Sequence, residues 1–188
     1  MAQRYNYFTN TLGQLKDVMT NDAFIVIFAN IPNTDGNSGE LALRCTSVSL
    51  PGLQNQKVTV NIHGFEMNFR GKRSQGGGDM QLSFTEFADC RVSKVLTDWH
   101  EFVVGTDSGT SGAYKKGGEG SNNGYATTVD VIGFDTTGKE ALHFICYNVF
   151  PTQVPGVQFN SESVAPMQLQ ATFTMDYYKQ TLPLVQMR

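Results

Sequence analysis

Residues 167–178, MQLQATFTMDYY, leave the backbone little choice. Met167, Leu169, Ala171, Phe173, Met175 and Tyr177 alternate without a break with Gln168, Gln170, Thr172, Thr174, Asp176 and Tyr178. Side chains along a strand point to opposite faces in turn, so this pattern sorts into one apolar and one hydrophilic face only if the chain is extended. A helix would spread the same residues around its circumference. The expected element is a long strand, half against a core and half against something polar.

The same period recurs elsewhere. Val58, Val60 and Ile62 alternate with Thr59 and Asn61; at His63-Gly64 the phase flips, and Phe65, Met67 and Phe69 take over. One out-of-step residue beside a glycine predicts a β-bulge that bends a single strand. Met80, Leu82 and Phe84 then alternate with Gln81 and Ser83. The stretch FRGKRSQGGGDMQLSF, residues 69–84, reads as a basic, glycine-rich hairpin tip leading into that second strand. AFIVIF, residues 23–28, predicts a strand buried on both faces. Residues 30–40 read as a loop, and 41–50 as a strand ended by the turn pair Pro51-Gly52. Residues 128–134 and 141–150 flank DTTGKE as another hairpin, its second strand central and ended by Pro151.

Only one segment has a convincing helical period. Val92, Val95, Leu96, Trp99 and Val103 share a face over about 91–104, with Asp89 as the expected N-cap and Gly105 as the stop. Phe8, Leu12, Leu15 and Met19 also fall at helical spacing, but Gly13 interrupts them, so residues 1–21 form a short amphipathic helix or an arm. Residues 105–124 are glycine-rich and aperiodic, a flexible exposed loop. About seven strands, one flanking helix and extended loops make a mainly β, antiparallel sandwich or barrel. A chain of 188 residues accommodates this as one domain, 1–188.

Composition narrows the function. Charged residues make up 16% of the chain, against about 25% in typical soluble domains. Gly, Ser, Thr, Asn and Gln take their place, and such a surface is buried against copies of itself with few charges to desolvate. A net charge of −3 argues against a free-standing nucleic-acid reader. No apolar run approaches the roughly 20 residues that span a bilayer. MAQRYNYFTN has no apolar signal core, so synthesis in the cytoplasm without export or membrane insertion is expected. Cys45, Cys90 and Cys146 form no CxxC pair and read as small buried hydrophobes.

No constellation asks for catalysis. A phosphate loop needs GxxxxGK followed by Ser or Thr at a helix start, but Lys72 comes early in its glycine run and a strand follows. His63, His100 and His143 stand far apart, without HxH or HExxH. There is no GxSxG elbow. Glu66, Glu86 and Asp89 are acids without an evident partner. The expectation is a non-enzyme with no catalytic, cofactor or metal site.

The ordered set of segments resembles the tail tube proteins of contractile-tailed bacteriophages, within the superfamily that also includes type VI secretion tubes. It runs over about residues 22–180: FIVIF, VSLPG at 48–52, the long segment VTVNIHGFEMNFRGKRSQGGGDMQLSFTEFADCRV, the helix end LTDWHEFV with Trp99, the exit at Asn148, Phe150 and Pro151, and the closing LQATFTMDYYK. The loop 105–124 departs from that pattern. The resemblance implies hexameric rings stacked into a hollow tube, a structural component of the virion tail assembled in the host cytoplasm. Implied partners are further copies of the chain, the tail sheath protein, the baseplate with its tube initiator, the tape-measure protein, the tail terminator and double-stranded DNA passing through without specific binding.

Interface residues expected on this reading are Phe8, Leu12, Leu15, Leu50, Pro51, Gly52, Arg70, Lys72, Arg73, Gly76 and Gly77. Arg70, Lys72 and Arg73 are expected at a subunit or ring junction. Lys and Arg in the bore would hold DNA phosphates, so the lumen-facing positions are expected at Thr59, Asn61, Gln81, Ser83, Gln168, Gln170, Thr172 and Thr174. A tube initiator or a type VI secretion-like tube protein is the alternative within the class. A monomeric β-barrel holding a small ligand is the alternative outside it.

Overall fold

Alternating residues need a partner strand on each side and a cover on one face, and most of the chain finds both. In a computed structural model the described residues are 21–32, 38–53, 55–73, 78–105, 109, 124–154, 156 and 165–181, with backbone alone at Lys72 and Arg73. The strands are β1 (Phe24–Phe28), β2 (Cys45–Ser49), β3 (Asn55–Ile62), β4 (Phe65–Arg73), β5 (Gly78–Thr85), β6 (Thr127–Phe134), β7 (Glu140–Gln153), β8 (Gln168–Met175) and β9 (Tyr177–Thr181). Two helices accompany them, α1 (Ser38–Arg44) and α2 (Arg91–Val103).

The main sheet runs β1-β6-β7-β8-β5-β2, antiparallel throughout, with β9 also on β7. Strand β7 serves both halves. Its residues up to Val149 pair with β6, and its end, through Phe150, Pro151 and Gln153, pairs with β8. On the edge away from β6, β7 passes from β9, over His143–Tyr147, to β8 from Phe150, and between them lies Asn148, which adopts φ 57°. Asn tolerates this left-handed region better than most residues. Its side-chain amide donates to the Asp176 carboxylate, at the break between β8 and β9, and the Asp176 N–H donates to Tyr147 O at 3.2 Å.

The two halves share one core. Val26, Phe28, Val129, Val131, Cys146 and Val149 come from one half; Met80, Leu82, Phe84, Leu169, Ala171, Phe173 and Met175 come from the other. Helix α2 adds Val92, Val95, Leu96 and Trp99, and α1 adds Leu41. Trp99 stands 6.1 Å from Phe28 and 5.6 Å from Phe173, ring centre to ring centre. Its indole N–H donates to Tyr125 O at 2.7 Å, so the largest core side chain leaves no polar atom stranded.

The start of α2 is held from outside the helix. Cys90 occupies the cap position at φ 50° and makes no side-chain cap bond. Buried Glu86 replaces it: its carboxylate accepts from Val92 N–H at 3.3 Å and Ser93 N–H at 2.7 Å. A carboxylate there satisfies donors the helix cannot pair itself and faces the positive end of its dipole. Asp89, the expected cap, is instead taken by Arg44 of α1 in a two-pronged bond at 2.8 and 2.7 Å.

Other expectations change as well. His63-Gly64 is a tight turn and not a bulge. Both residues are left-handed, at φ 49° and 86°, as a two-residue hairpin turn requires. Strands β3 and β4 therefore pair with each other, and residues 69–84 are not a hairpin tip, because β5 pairs with β2 and β8. Residues 38–44, expected as loop and strand, are helical. Strand β1 lies at the sheet edge with Ile27 40% exposed, so it is buried on one face only. Pro151 lies within β7 and does not end it. Cys90 is exposed; Cys146 is buried as expected, and Cys45 is half-buried.

Candidate assembly surfaces

The polar halves of three alternating strands meet in one face. In register, Asp79, Gln81, Ser83 and Thr85 of β5 lie opposite Thr174, Thr172, Gln170 and Gln168 of β8, and Ser47 and Ser49 of β2 lie opposite Ser83 and Gln81. The intervening residues Met80, Leu82, Phe84, Leu169, Ala171 and Phe173 are at most 2% exposed. This sheet is core on one side and a hydrophilic wall on the other. Gln170 Nε2 donates to Gln81 Oε1 at 3.1 Å across the wall. Strands β2, β5 and β8 contain no Lys or Arg, and Asp79 is the wall's single carboxylate.

Six of the eight expected lumen positions are brought together here: Gln81, Ser83, Gln168, Gln170, Thr172 and Thr174. Thr59 and Asn61 are not. They lie on β3, in the separate two-stranded sheet with β4, on the face shared with Asn68 and Glu66. Thr59 Oγ1 donates to Asn68 Oδ1 at 2.7 Å.

The opposite face of that hairpin is apolar and uncovered. Val58 pairs with Phe69, Val60 with Met67 and Ile62 with Phe65. These six side chains are between 39% and 77% exposed. Arg70 pairs with Lys57 on the hydrophilic face. Gly71 is required by a close approach, since a Cβ there would meet Gln56 O at 2.7 Å.

Of the remaining expected interface residues, Leu50 packs against the core, and Pro51 O accepts a 2.9 Å hydrogen bond from the Tyr178 hydroxyl. Gly52 is exposed. Phe8, Leu12, Leu15, Gly76 and Gly77, most of the loop 105–124, and the side chains of Lys72 and Arg73 lie outside the described residues.

A cluster that sequence reading missed joins α1 to α2. Arg44 contacts Asp89, Glu86 at 3.6 Å and Glu40 at 3.7 Å; Arg91 contacts Glu40 and, at 3.4 Å, Asp89. The Arg44 hydrogen bonds push the Asp89 carboxyl down to about 2. Burial pushes the Cys45 thiol up to about 11 and that of Cys146 to about 12, so neither is a ready nucleophile at neutral pH. His143, on the outer face of β7, stands 3.5 Å from Asp130. Among the described residues, no group of three or more His, Cys, Asp or Glu side chains is placed to share a metal ion. No described helix is long and apolar enough to cross a membrane.

Solved structures share this architecture. One is a chain of the sheath–tube complex of an extracellular contractile injection system, PVC, in its extended state: TM-score 0.61 at 14% identity, covering 92% of this chain and 97% of that one. The sheath/tube terminator of the same system gives TM-score 0.61 at 15% identity over 89% and 99%. The tube-terminating cap of the anti-feeding prophage gives 0.61 at 13% identity over 90% and 94%. At such identities the likeness shows the fold. No curated protein sequence matches the chain. A family model described as phage tail tube protein matches residues 12–181, and with a mainly antiparallel β fold of tube type beneath it, the chain belongs to the phage tail tube protein family and has a structural role in the tail tube.

Proposed function

We propose that the whole chain acts as one tube domain, that six copies close into a ring, and that rings stack into a hollow tail tube through which double-stranded DNA leaves the virion. The observation that carries this is the hydrophilic wall of β2, β5 and β8, which bears one carboxylate and no cation. Each Lys or Arg facing a duplex adds a salt-dependent attachment, so a conduit works best without them. The outer strands of the main sheet, β1 and β2, each have one edge unpaired among the described residues. Open edges recruit further strands, and a closed ring removes them. Head-to-tail stacking repeats without limit, so both contacts together convert a small domain into a filament.

Sheath and terminator contacts are proposed from the fold shared with chains of a sheath–tube complex and a tube terminator. A baseplate with its tube initiator below, a tape-measure protein inside, synthesis in the host cytoplasm and the absence of catalysis complete the proposal. Leu50, Pro51, Gly52, Arg70, Lys72, Arg73, Gly76 and Gly77, with Phe8, Leu12 and Leu15 of the N-terminal segment, are its contact residues. A position at a tube end is the second reading, because the likeness to the terminating cap equals that to the chain of the sheath–tube complex, TM-score 0.61 in both. Electron microscopy of the purified protein separates the two. Long smooth tubes identify a tube-body subunit, and isolated rings an end piece. A monomer at every concentration contradicts both.

A further inference from the structure

Strand β7 and the run through β8 and β9 form one antiparallel ribbon in constant register. Tyr147 stands opposite Tyr177 and Phe150 opposite Thr174, so equal numbers of residues separate these pairs on the two strands. The faces do not stay constant. On β7, Phe144 and Cys146 pack in the core before Asn148, and Val149 and Pro151 are the buried residues after it. On the partner run, Met175 lies in the core before Asp176, and Tyr178 packs against the core after it. Both strands turn over at the same level without losing register.

An unbroken strand cannot do this, because its odd and even residues keep to opposite faces. The exchange needs a residue outside the extended region. Asn148, at φ 57°, supplies it on β7, in a conformation that Asn tolerates and a β-branched residue does not. Asp176 stands at the break between β8 and β9, where the partner run turns. The Asn148 amide donates to the Asp176 carboxylate, and the Asp176 N–H donates to Tyr147 O at 3.2 Å, so the two turning residues hold each other. The exchange lets one ribbon serve two halves of the sheet. Strand β8 continues beside β5 with its polar residues on the hydrophilic wall, while β9 stays on β7. It also brings Tyr178 to the core side, where its hydroxyl reaches Pro51 O at 2.9 Å, just past the end of β2, the last strand of the wall. The angle of the wall is thus held at a corner and by a brace on its far strand.

We propose that Asn148 and Asp176 are positioning residues for the wall: their bond fixes the corner at which the ribbon exchanges faces, and so sets the angle at which each wall meets the next in a closed ring. The proposal rests on the tube-subunit reading for what the wall does, and adds which pair aims it. Neither side chain needs to touch another copy.

The test uses the full-length protein, with assembly followed by sedimentation and electron microscopy well below the melting midpoint of every variant. Asn148→Asp sets one carboxylate against another and is expected to cut the yield of closed rings or tubes about tenfold. Adding Asp176→Asn restores a donor and an acceptor in exchanged places, and is expected to bring the yield back to within about threefold of wild type. Asn148→Gly keeps the left-handed backbone without the side-chain bond and falls between the two. Tyr178→Phe, which removes only the brace, has a smaller effect than Asn148→Asp. Val129→Ala, a core change that lowers the melting midpoint at least as far as Asn148→Asp, is the control and is expected to assemble. Three outcomes overturn the proposal: undiminished assembly of Asn148→Asp, no recovery in the exchanged pair, or an equal loss in Val129→Ala, which would reduce the corner to general stability. A wild type that never assembles overturns the tube reading. Amide exchange in the unassembled chain then decides the corner by itself. Faster exchange at residues 147–149 and 175–177 in Asn148→Asp, reversed in the exchanged pair, upholds it, and unchanged exchange there overturns it.

Discussion

Strands β5 and β8 and strands β3 and β4 carry the same kind of sequence and meet different fates. In the first pair the apolar residues are at most 3% exposed; in the second they are at least 39% exposed. Alternation specifies that one face of a strand needs a cover, but not which molecule supplies it. Where the cover lies in the same chain, the result is a core. Where it does not, the apolar face is left open, as on β3 and β4.

The sharpest way to break this comparison is to truncate one aromatic in each region. Phe173→Ala, in contact with Trp99 and Phe28, is expected to cost about 3–5 kcal/mol in urea unfolding of the unassembled chain. Phe69→Ala, 49% exposed, is expected to cost under about 1 kcal/mol. Equal costs would mean that the hairpin face is covered by its own chain.

A smaller effect tests how the core side is fixed. Glu86→Ala leaves two N–H groups of α2 without an acceptor and Arg44 short of a charge partner, so a loss of about 1–3 kcal/mol is expected by the same measurement. Smaller still for the monomer is Gly71→Ala. A Cβ at that position collides with Gln56 O, so faster amide exchange across residues 55–73 and weaker assembly are expected, with the core amides unchanged. Uniform acceleration across the chain would show that the hairpin is not an independent unit.

The smallest effect is a pH arm. Arg44 holds the Asp89 carboxyl at about 2 in the folded chain, below the ordinary value of about 4 in the unfolded one. The folded pKa is the lower one, so the contribution is complete above about pH 4 and fades as pH falls toward 2. Asp89→Asn should flatten that part of the melting-midpoint profile by lowering the plateau above about pH 4 slightly, the two profiles meeting near pH 2, and the effect is small because Asp89 is exposed. A wild-type profile already flat between about pH 4 and 2 would remove Asp89 from the account.

Strand β8 was legible residue by residue, because its pattern is strict and its cover is internal. So was the DTTGKE turn, where Asp135 accepts from Thr137 and Lys139 N–H groups at 2.8 and 3.0 Å. The turn at His63-Gly64 was not legible as a turn. A bulge and a two-residue hairpin break alternation alike, and only the pairing of β3 with β4 decides between them. Helix α1 is short, contains Gly39, and is held by Leu41 in the core and Arg44 on Asp89, contacts far apart in sequence. The cap of α2 failed for the same reason: Cys90 holds the cap position, Arg44 takes the Asp89 carboxylate beside it, and Glu86 supplies the acceptors. Of the wall, the separate strands were legible and their assembly into one face was not, since the partners of β5 are fixed by the fold. Thr59 and Asn61 share the pattern but belong to a different sheet.

The most direct test of the central claim is a cross-section of the assembled particle by electron cryo-microscopy at side-chain resolution. The account predicts a bore walled by Gln81, Ser83, Gln170 and Thr172. A bore lined by Arg70, or by the apolar face of β3 and β4, would contradict it.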